Sequence, residues 1–358
     1  MSWLDELVWR LHELQCPQDF VFCILLLCWS GYDLLQEFEY VEYFAGHGNI
    51  TRQMQSARYC AVRMDIIDHT PRKPKKQNYM DLCSPCGFAL GVLVMLKTVI
   101  NNFAAHFGIK CSSLCRVNKG TSMRSACSSE GYVGHVSVLI SNKLLDRTCA
   151  LVLLCTALGG AWSLEQPSGS LLEYFPTWTY VMRKIFDNGG PQAVHIVRWW
   201  MKHYGSRTSK RHMGFANSPA IRRLDLGRLQ VSKGPAPKTC VKYHDRQGRL
   251  KYKGTKHLKA TEIYPMKFAR AVLDLVEPLK QGARGQPSLP DGGAPPALYT
   301  MTQFEWPVPA GLWKYADFAE TFNYLRGSKR LVIPEEWRDV VPRKMKNSFS
   351  DGDSIGDV

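Results

Sequence analysis

The 358-residue chain is 45% hydrophobic and 22% charged, and it carries a net charge of +15. That composition excludes collagen-like, low-complexity and disordered classes and leaves room for one large domain with appendages. The 12 cysteines are too scattered for a small disulfide scaffold and suit a reducing compartment.

Residues 3–36 read as buried helices. The apolar run 20–29 is well short of the ~20 residues that a membrane-crossing helix needs, and Asp5 and Glu6 stand where a signal peptide would be basic. The expectation is a protein without a membrane partner, intracellular, with the nucleus ahead of the cytoplasm. From 39 to 165, strand-like and helix-like stretches alternate. Residues 40–44 form a strand ending at Gly46, 49–57 a short helix, and 61–64 a strand closing at Asp65. The stretch 78–82 is strand-like and ends at Asp81. Residues 88–103 have helical length, 107–110 form a strand leading into Cys111, 133–158 form a long helix, and 161–164 form a strand ending at Glu165. This alternation predicts an α/β fold, a mainly parallel sheet with helices on both faces.

Beyond about residue 220 the pattern weakens. Residues 202–259 hold 16 Lys/Arg against only Asp225 and Asp245, a local charge of +14. Such a stripe attracts polyanions, nucleic acid first, or is a solvated basic face. Residues 232–260 suit a hairpin turning at Asp245-Arg246-Gln247-Gly248. Pro265 opens a helix, where its missing N–H costs nothing. That helix is predicted to stop near Val276, because Pro278 disfavours helical geometry in the residue before it. Residues 281–297 are a Gly- and Pro-rich linker, 300–345 with Trp306, Trp313 and Trp337 dock back as an annex, and the tail from Asn347 is disordered. The expected organisation is N-terminal helices over 1–37, a main domain over 38–220, and a basic insert with a returning helix over 221–280. A linker over 281–299, an annex over 300–346 and a tail over 347–358 follow.

The most informative stretch is Glu42-Tyr43-Phe44-Ala45-Gly46-His47-Gly48. A strand runs into a glycine turn that opens a helix, and Gly46 and Gly48 let the backbone approach a ligand with helix N–H groups facing it. Asp65, about 20 residues on, ends the next strand, where an acid takes a ribose diol. Asp81 is placed to receive an adenine amino group. Thr51 replaces the third glycine of G-x-G-x-x-G, which argues against a dinucleotide.

Phe44-Ala45-Gly46-His47-Gly48 resembles the first motif, F-A-G-x-G, of DNA cytosine-5 methyltransferases, and Asp65 and Asp81 fall where that family's second and third motifs place their acids. The resemblance implies a Rossmann-like methyltransferase sheet with a small basic annex. It also implies S-adenosylmethionine as cofactor, held by Phe44, Ala45, Gly46, Gly48, Asp65 and Asp81. Cys111-Ser112-Ser113 stands where the family has Pro-Cys, and Glu165-Gln166-Pro167 where it has Glu-Asn-Val. By that similarity Cys111 is the nucleophile, adding to C6 of cytosine so that C5 takes a methyl group, and Glu165 holds N3 of the flipped base. Lys110 and Gln166-Pro167 depart from the family pattern. A thiolate needs electropositive surroundings, expected here from Lys110, Arg116 and Lys119. Residues 204–211 loosely resemble the eighth motif, implying phosphate contacts by Arg207, Lys210 and Arg211.

The resemblance spans about 38–278, and the family's long DNA-reading region has only a short counterpart near 222–260. The set E-Y-F-A-G, Cys-Ser-Ser and E-Q-P-S also resembles a divergent methyltransferase-like group abundant in dinoflagellates. The implied partner is nucleic acid, DNA ahead of RNA, bound through 202–259. Cys83, Cys86, Cys111 and Cys115 number enough for a four-thiolate zinc site, but the pairs belong to different elements, so no metal is expected. Trp199-Trp200 beside the basic stretch is a stacking candidate for bases, or core. The alternative function is a catalytically degenerate fold that binds nucleic acid without turnover.

Overall fold

A computed structural model describes residues 3–69, 78–230, 237–288, 308, 311–314, 316–328 and 331–332. Helices α1 (Trp3–Glu13) and α2 (Gln18–Cys28) precede β1 (Tyr40–Tyr43), α3 (Asn49–Ser56) and β2 (Ala61–Met64). Then come α4 (Pro85–Leu96), β3 (Ala104–Phe107), α5 (Lys119–Ser122), α6 (Val136–Ala157), β4 (Ala161–Pro167) and α7 (Pro176–Gly189). Strands β5 (His195–Trp200) and β6 (Arg211–Ala216) finish the main sheet, and β7 (Cys240–His244) and β8 (Leu250–Gly254) form a separate hairpin. Helices α8 (Lys256–Ala260), α9 (Met266–Gly282) and α10 (Ala316–Arg326) follow. Among the described residues no helix is long and apolar enough to cross a membrane.

The six-stranded sheet has the order β2-β1-β3-β4-β6-β5. Strands β2, β1, β3 and β4 are parallel, whereas β6 runs antiparallel to both β4 and β5. The sheet is therefore mixed: the four strands β2, β1, β3 and β4 are parallel as predicted, and β6 is the reversed strand. The link from β5 to β6 is too short for the crossover that a parallel neighbour requires, and it turns at Gly205, at φ +90°. The chain steps from β1 to β2 on one side and then crosses to β3 on the other. The carboxyl ends of β1 and β3 consequently flank a topological switch point, where α/β sheets bind ligands.

Two apolar layers sandwich the sheet. Val41, Tyr43, Ala105, Phe107, Trp162 and Leu164 face the layer that contains α1, α2, α4, α6 and α7, where Trp162 and Trp178 meet edge-on. Tyr40, Ala104 and Ala161 face α3 and α9, which supplies Phe268, Val272, Leu275, Val276 and Leu279. α10 packs into the first layer through Phe318, Phe322 and Leu325, and Trp313 stacks at its side against Phe318. Trp306, Trp337, the tail from 347 and most of the expected linker and annex lie outside the described residues.

Several sequence expectations are corrected. Residues 78–84 form turns, not a strand, because Asn78 Oδ1 accepts from Met80 N and Asp81 Oδ1 from Cys83 N, each at 2.9 Å. Such local side-chain acceptors compete with a sheet ladder. The third strand is 104–107 rather than 107–110. The helix before it ends at Leu96, and Asn101 turns the chain at φ +61°. α9 runs through Pro278 to Gly282, since Val276 and Leu279 are buried on either side of the proline and tertiary packing outweighs the roughly 3 kcal/mol penalty. The hairpin turns where predicted, with Asp245 Oδ1 accepting from Gln247 N and Arg249 N.

Candidate functional site

The strand register lines up Arg63, Glu42, His106 and Ser163 across β2, β1, β3 and β4. Alternation along a strand puts Glu165, two residues after Ser163, on that same face. A polar row thus crosses the sheet beneath α3 and α9, close to the switch point.

At its β1 end lies the glycine turn. Phe44, Gly46 and Gly48 all have positive φ, at +59°, +52° and +65°. Asp65 Oδ2 accepts from Gly46 N at 2.7 Å, and Oδ1 accepts from Ile67 N at 3.1 Å. Glu42, fully buried, reaches up to accept from Thr51 N at 2.9 Å and from the Thr51 hydroxyl. This side chain caps α3, whose own N-cap is Gly48 and offers no side chain. Two of the donors of the turn, Gly46 N and Thr51 N, are therefore taken by carboxyl groups of the chain. Gly46 faces open space, with no atom within 4 Å of where a Cβ would stand. The space beside Gly48 is filled by the Arg63 guanidinium, which donates to His47 O at 3.0 Å and pairs with Asp68 at 2.6 Å. Gly48, at positive φ, leaves room for Arg63, whose guanidinium a Cβ at that position would meet. Ile66 and Ile67, 54% and 60% exposed, and the exposed Tyr79 give the neighbourhood an apolar surface that the sequence reading missed.

Burial pushes the Glu42 carboxyl up to about 7 against the pull of the Thr51 bonds and Arg63. In the unfolded chain it titrates near 4.5, so its proton is held more tightly in the fold. The associated stability is complete below pH 4.5 and is lost as pH climbs through about 7, by about 3 kcal/mol. Glu42→Gln is expected to raise the unfolding free energy at pH 8 and to leave it unchanged near pH 4.5. Urea titrations at the two pH values check this, and equal stability at pH 8 contradicts it.

Asp81 sits in the turn before α4. Arg147 fixes that turn by donating to Leu82 O at 2.6 Å and Ser84 O at 2.9 Å.

At the other end of the row, Cys111 and Glu165 come together. Gln166 Nε2 donates to Ile109 O at 2.6 Å, Cys115 bridges to Ser170, and Ser168 N donates to Arg211 O at 3.0 Å. The loop after β3, the end of β4 and the start of β6 are thereby stitched into one cluster. Arg124, wholly buried, ties in Ser113 Oγ at 3.0 Å and Asn142 Oδ1 at 2.7 Å. The Cys111 thiol is half-buried and pulled below its usual range. The Cys115 thiol lowers it first and Lys210 adds to this, while burial and Glu165 oppose. Glu165, 8% exposed, pairs with His212 Nδ1 and accepts from Tyr264 Oη at 2.8 Å. Burial alone would raise its carboxyl, but His212, Lys210 and Tyr264 outweigh that and hold it down to about 2. Tyr264 Oη also lies 3.3 Å from His106 Nε2, and His106 Nδ1 lies 2.9 Å from Ser163 Oγ. Burial drives His106 down to about 4, with Glu165 opposing, so its imidazole is neutral.

Lys110 and Lys119 are exposed, and the Arg116 side chain lies outside the described residues. Among the described residues the positive charge acting on Cys111 is that of Lys210, which is also an expected phosphate contact. Its Nζ lies 3.5 Å from Thr261 Oγ1. Arg207 is exposed, and the Arg211 guanidinium lies 5.3 Å over the Trp200 ring. Trp199 is buried, stacked on Phe268 at 5.8 Å, and cannot offer a face to a base. The β7–β8 hairpin leaves its lysines and the rings of Tyr243 and Tyr252 exposed. Among the described residues no cluster of three or more His, Cys, Asp or Glu side chains is arranged to hold a metal ion. Compared with protein-family models, with curated proteins and with solved structures, the chain matches none.

Proposed function

We propose that this chain is a Rossmann-like methyltransferase that binds S-adenosylmethionine at the 44–48 turn and methylates C5 of cytosine in DNA or RNA through Cys111. The observation that carries the reading is the convergence of the glycine turn, the Cys111 loop and the end of β4 at the carboxyl edge of one sheet, around its switch point. The turn's chemistry supports the cofactor class. With the Glu42 and Asp65 carboxyl groups occupying the Thr51 and Gly46 donors, fewer donors remain for a pyrophosphate, which suits a nucleoside cofactor without phosphates. Asp65 would hold the ribose, and the exposed Ile66 beside it would lie against the base.

When bound, the cofactor supplies an electrophilic methyl group. The chain's part is to present a nucleophilic sulfur at Cys111, to keep Lys210 beside it and to draw a polyanion in through the exposed basic hairpin. Titration calorimetry with S-adenosylmethionine tests the cofactor reading. Asp65→Ala is expected to lose about 1.5–3 kcal/mol, roughly 10- to 150-fold in affinity. Asp65→Asn, which keeps an acceptor for Gly46 N, should lose less. No heat with the native chain, or equal affinity in Asp65→Ala, would overturn it.

One observation favours a second reading, binding of nucleic acid without turnover. Both Glu165 oxygens already have partners in the chain. Holding a flipped base would add a further donor to a carboxylate that already serves two.

A further inference from the structure

The β7–β8 hairpin stands apart from the main sheet, and 241–244 and 250–254 are exposed along both strands. Its foot is fixed. Thr255 N donates to Thr239 O at 2.9 Å, Thr255 Oγ1 donates to Lys238 O at 2.8 Å, and a Cβ on Gly254 would come within 2.7 Å of Leu258 in α8. Its tip is closed by Asp245, which accepts from Gln247 N and Arg249 N and pairs with the Arg249 guanidinium at 2.9 Å. Asp245, the one acid of the ribbon, is thereby engaged, and Lys242, Arg246, Lys251 and Lys253 leave a surplus of positive charge. The register sets Lys242 opposite Tyr252 and Tyr243 opposite Lys251. Successive side chains alternate along a strand, so these two pairs lie on opposite faces. Each face thus carries one ring beside one ammonium. On the first face Lys242 Nζ lies 5.9 Å from the centre of the Tyr252 ring. On the second, Val241 and Lys253 extend the pair formed by Tyr243 and Lys251. The rings of Tyr243 and Tyr252 are 47% and 46% exposed.

We propose that this ribbon binds single-stranded nucleic acid, with unpaired bases stacked on Tyr243 and Tyr252 and the flanking phosphates met by Lys242, Lys251 and Lys253. The surplus charge selects a polyanion. The rings then select its form. A paired base keeps its π-faces inside the duplex stack, whereas an unpaired base offers one to an aromatic side chain, whatever its identity. A two-stranded ribbon also fits a major groove, but Arg, Asn, Gln and Lys read the base edges there. Arg, Asn and Gln are absent from β7 and β8, and Val241, Tyr243, Leu250 and Tyr252 hold positions that such a reader would use. A membrane surface or an apolar protein partner would want both rings on one face, and the register puts them on two. Beyond α8, Thr261 Oγ1 lies 3.5 Å from Lys210 Nζ, one residue before β6, so the foot of the ribbon adjoins the end of the sheet that carries Glu165. The inference rests on the proposed function in taking nucleic acid as the substrate class, and adds which form of it the chain grips.

The test is fluorescence anisotropy of the full chain with labelled oligo(dT), oligo(U) and a mixed-sequence duplex, each about 20 units long so that it exceeds the reach of one ribbon. One or both single strands are expected to bind more tightly than the duplex, and the order of oligo(dT) and oligo(U) then tells DNA from RNA. Tyr243→Val and Tyr252→Val keep strand-forming residues and are expected to weaken single-strand binding about 5- to 150-fold each, the worth of one stacked base. Tyr243→Phe and Tyr252→Phe keep the rings and should bind like the native chain. Lys251→Ala should lower the slope of log affinity against log salt by about 0.7, one phosphate contact on a single strand. A duplex bound as tightly as the single strands, or valine variants that bind like native, overturns this inference alone. Absence of binding to all three probes overturns it together with the nucleic-acid reading. Neither cofactor binding nor methyl incorporation is read in any arm, so failure here and failure of the proposed activity are separate results.

Discussion

Glu165→Ala is expected to lower the unfolding free energy by about 2–6 kcal/mol, the cost of leaving two buried donors, on His212 and Tyr264, without their acceptor at about 1–3 kcal/mol each. The carboxylate is 8% exposed, pairs with His212 and accepts from Tyr264. Truncation leaves the buried His212 imidazole and the Tyr264 hydroxyl without their acceptor, and it leaves Lys210 without one of its counter-charges. Stability should also change its response to acid. The Glu165 carboxyl titrates near 4.5 unfolded and is held down to about 2 in the fold. Its contribution is present above pH 4.5 and is lost as pH falls toward 2. His106, neutral in the fold to about 4 against 6.5 unfolded, costs stability over an overlapping range, because acid protonates it first in the unfolded chain. The native chain should therefore weaken steeply below pH 5, and Glu165→Ala should show a shallower acid limb. Urea titrations at neutral pH and at pH 3–5 read both effects. A variant within about 1 kcal/mol of native at neutral pH would contradict the buried network as the source of Glu165's constraint.

The contrast with Glu42 shows why one sheet face holds two acids of opposite behaviour. Both are buried on the α9 side. Glu42 has its Thr51 donors but an unpartnered Oε1, so desolvation wins and its proton is retained. Glu165 has a partner on each oxygen and a lysine nearby, so the charge wins. Opposite titration of two carboxylates on one edge is characteristic of functional sites, although buried structural networks produce it as well.

How far the sequence revealed this follows from distance along the chain. The β1–turn–α3–β2 unit was legible because its signals are local: alternation, two glycines and an acid at the next strand's end. That Cys111 and Glu165 share a neighbourhood was legible from order alone, since one follows β3, the other lies near the end of β4, and the two strands pair. What decides their chemistry was not. His212 and Tyr264 lie 47 and 99 residues beyond Glu165, and nothing in their own neighbourhoods marks them. Lys210 stands in a basic run, which suggests phosphate, and its place near Thr261 just ahead of β6 is a tertiary outcome. The reversal of β6 and the run of α9 through Pro278 are likewise tertiary outcomes, in which packing overrides a local rule. The place that Gly48 leaves for Arg63 is a tertiary contact too, with no local signal in the sequence.

Cys111→Ala is expected to reduce incorporation of labelled methyl from S-adenosylmethionine into a mixture of DNA and RNA by on the order of 10³-fold or more, as loss of a nucleophile does elsewhere. The argument starts from the surroundings of the sulfur. A cysteine buried among apolar groups is inert, as Cys149 and Cys155 are here, their thiols pushed far up by desolvation. Cys111 is the opposite case. The thiol of Cys115, one turn on, and the ammonium of Lys210 favour its ionised form despite burial and the nearby Glu165. Cys115 itself is driven upward by the same pairing. Cys115→Ala should accordingly weaken incorporation far less than Cys111→Ala, since it removes a donor and not the attacking atom. Cofactor affinity, set at the 44–48 turn, should be unchanged in both. Incorporation that survives Cys111→Ala would remove the thiol from the reaction. A native chain that binds cofactor and nucleic acid without incorporation would leave the binding-only reading, in which the occupied Glu165 oxygens are the reason that turnover is absent.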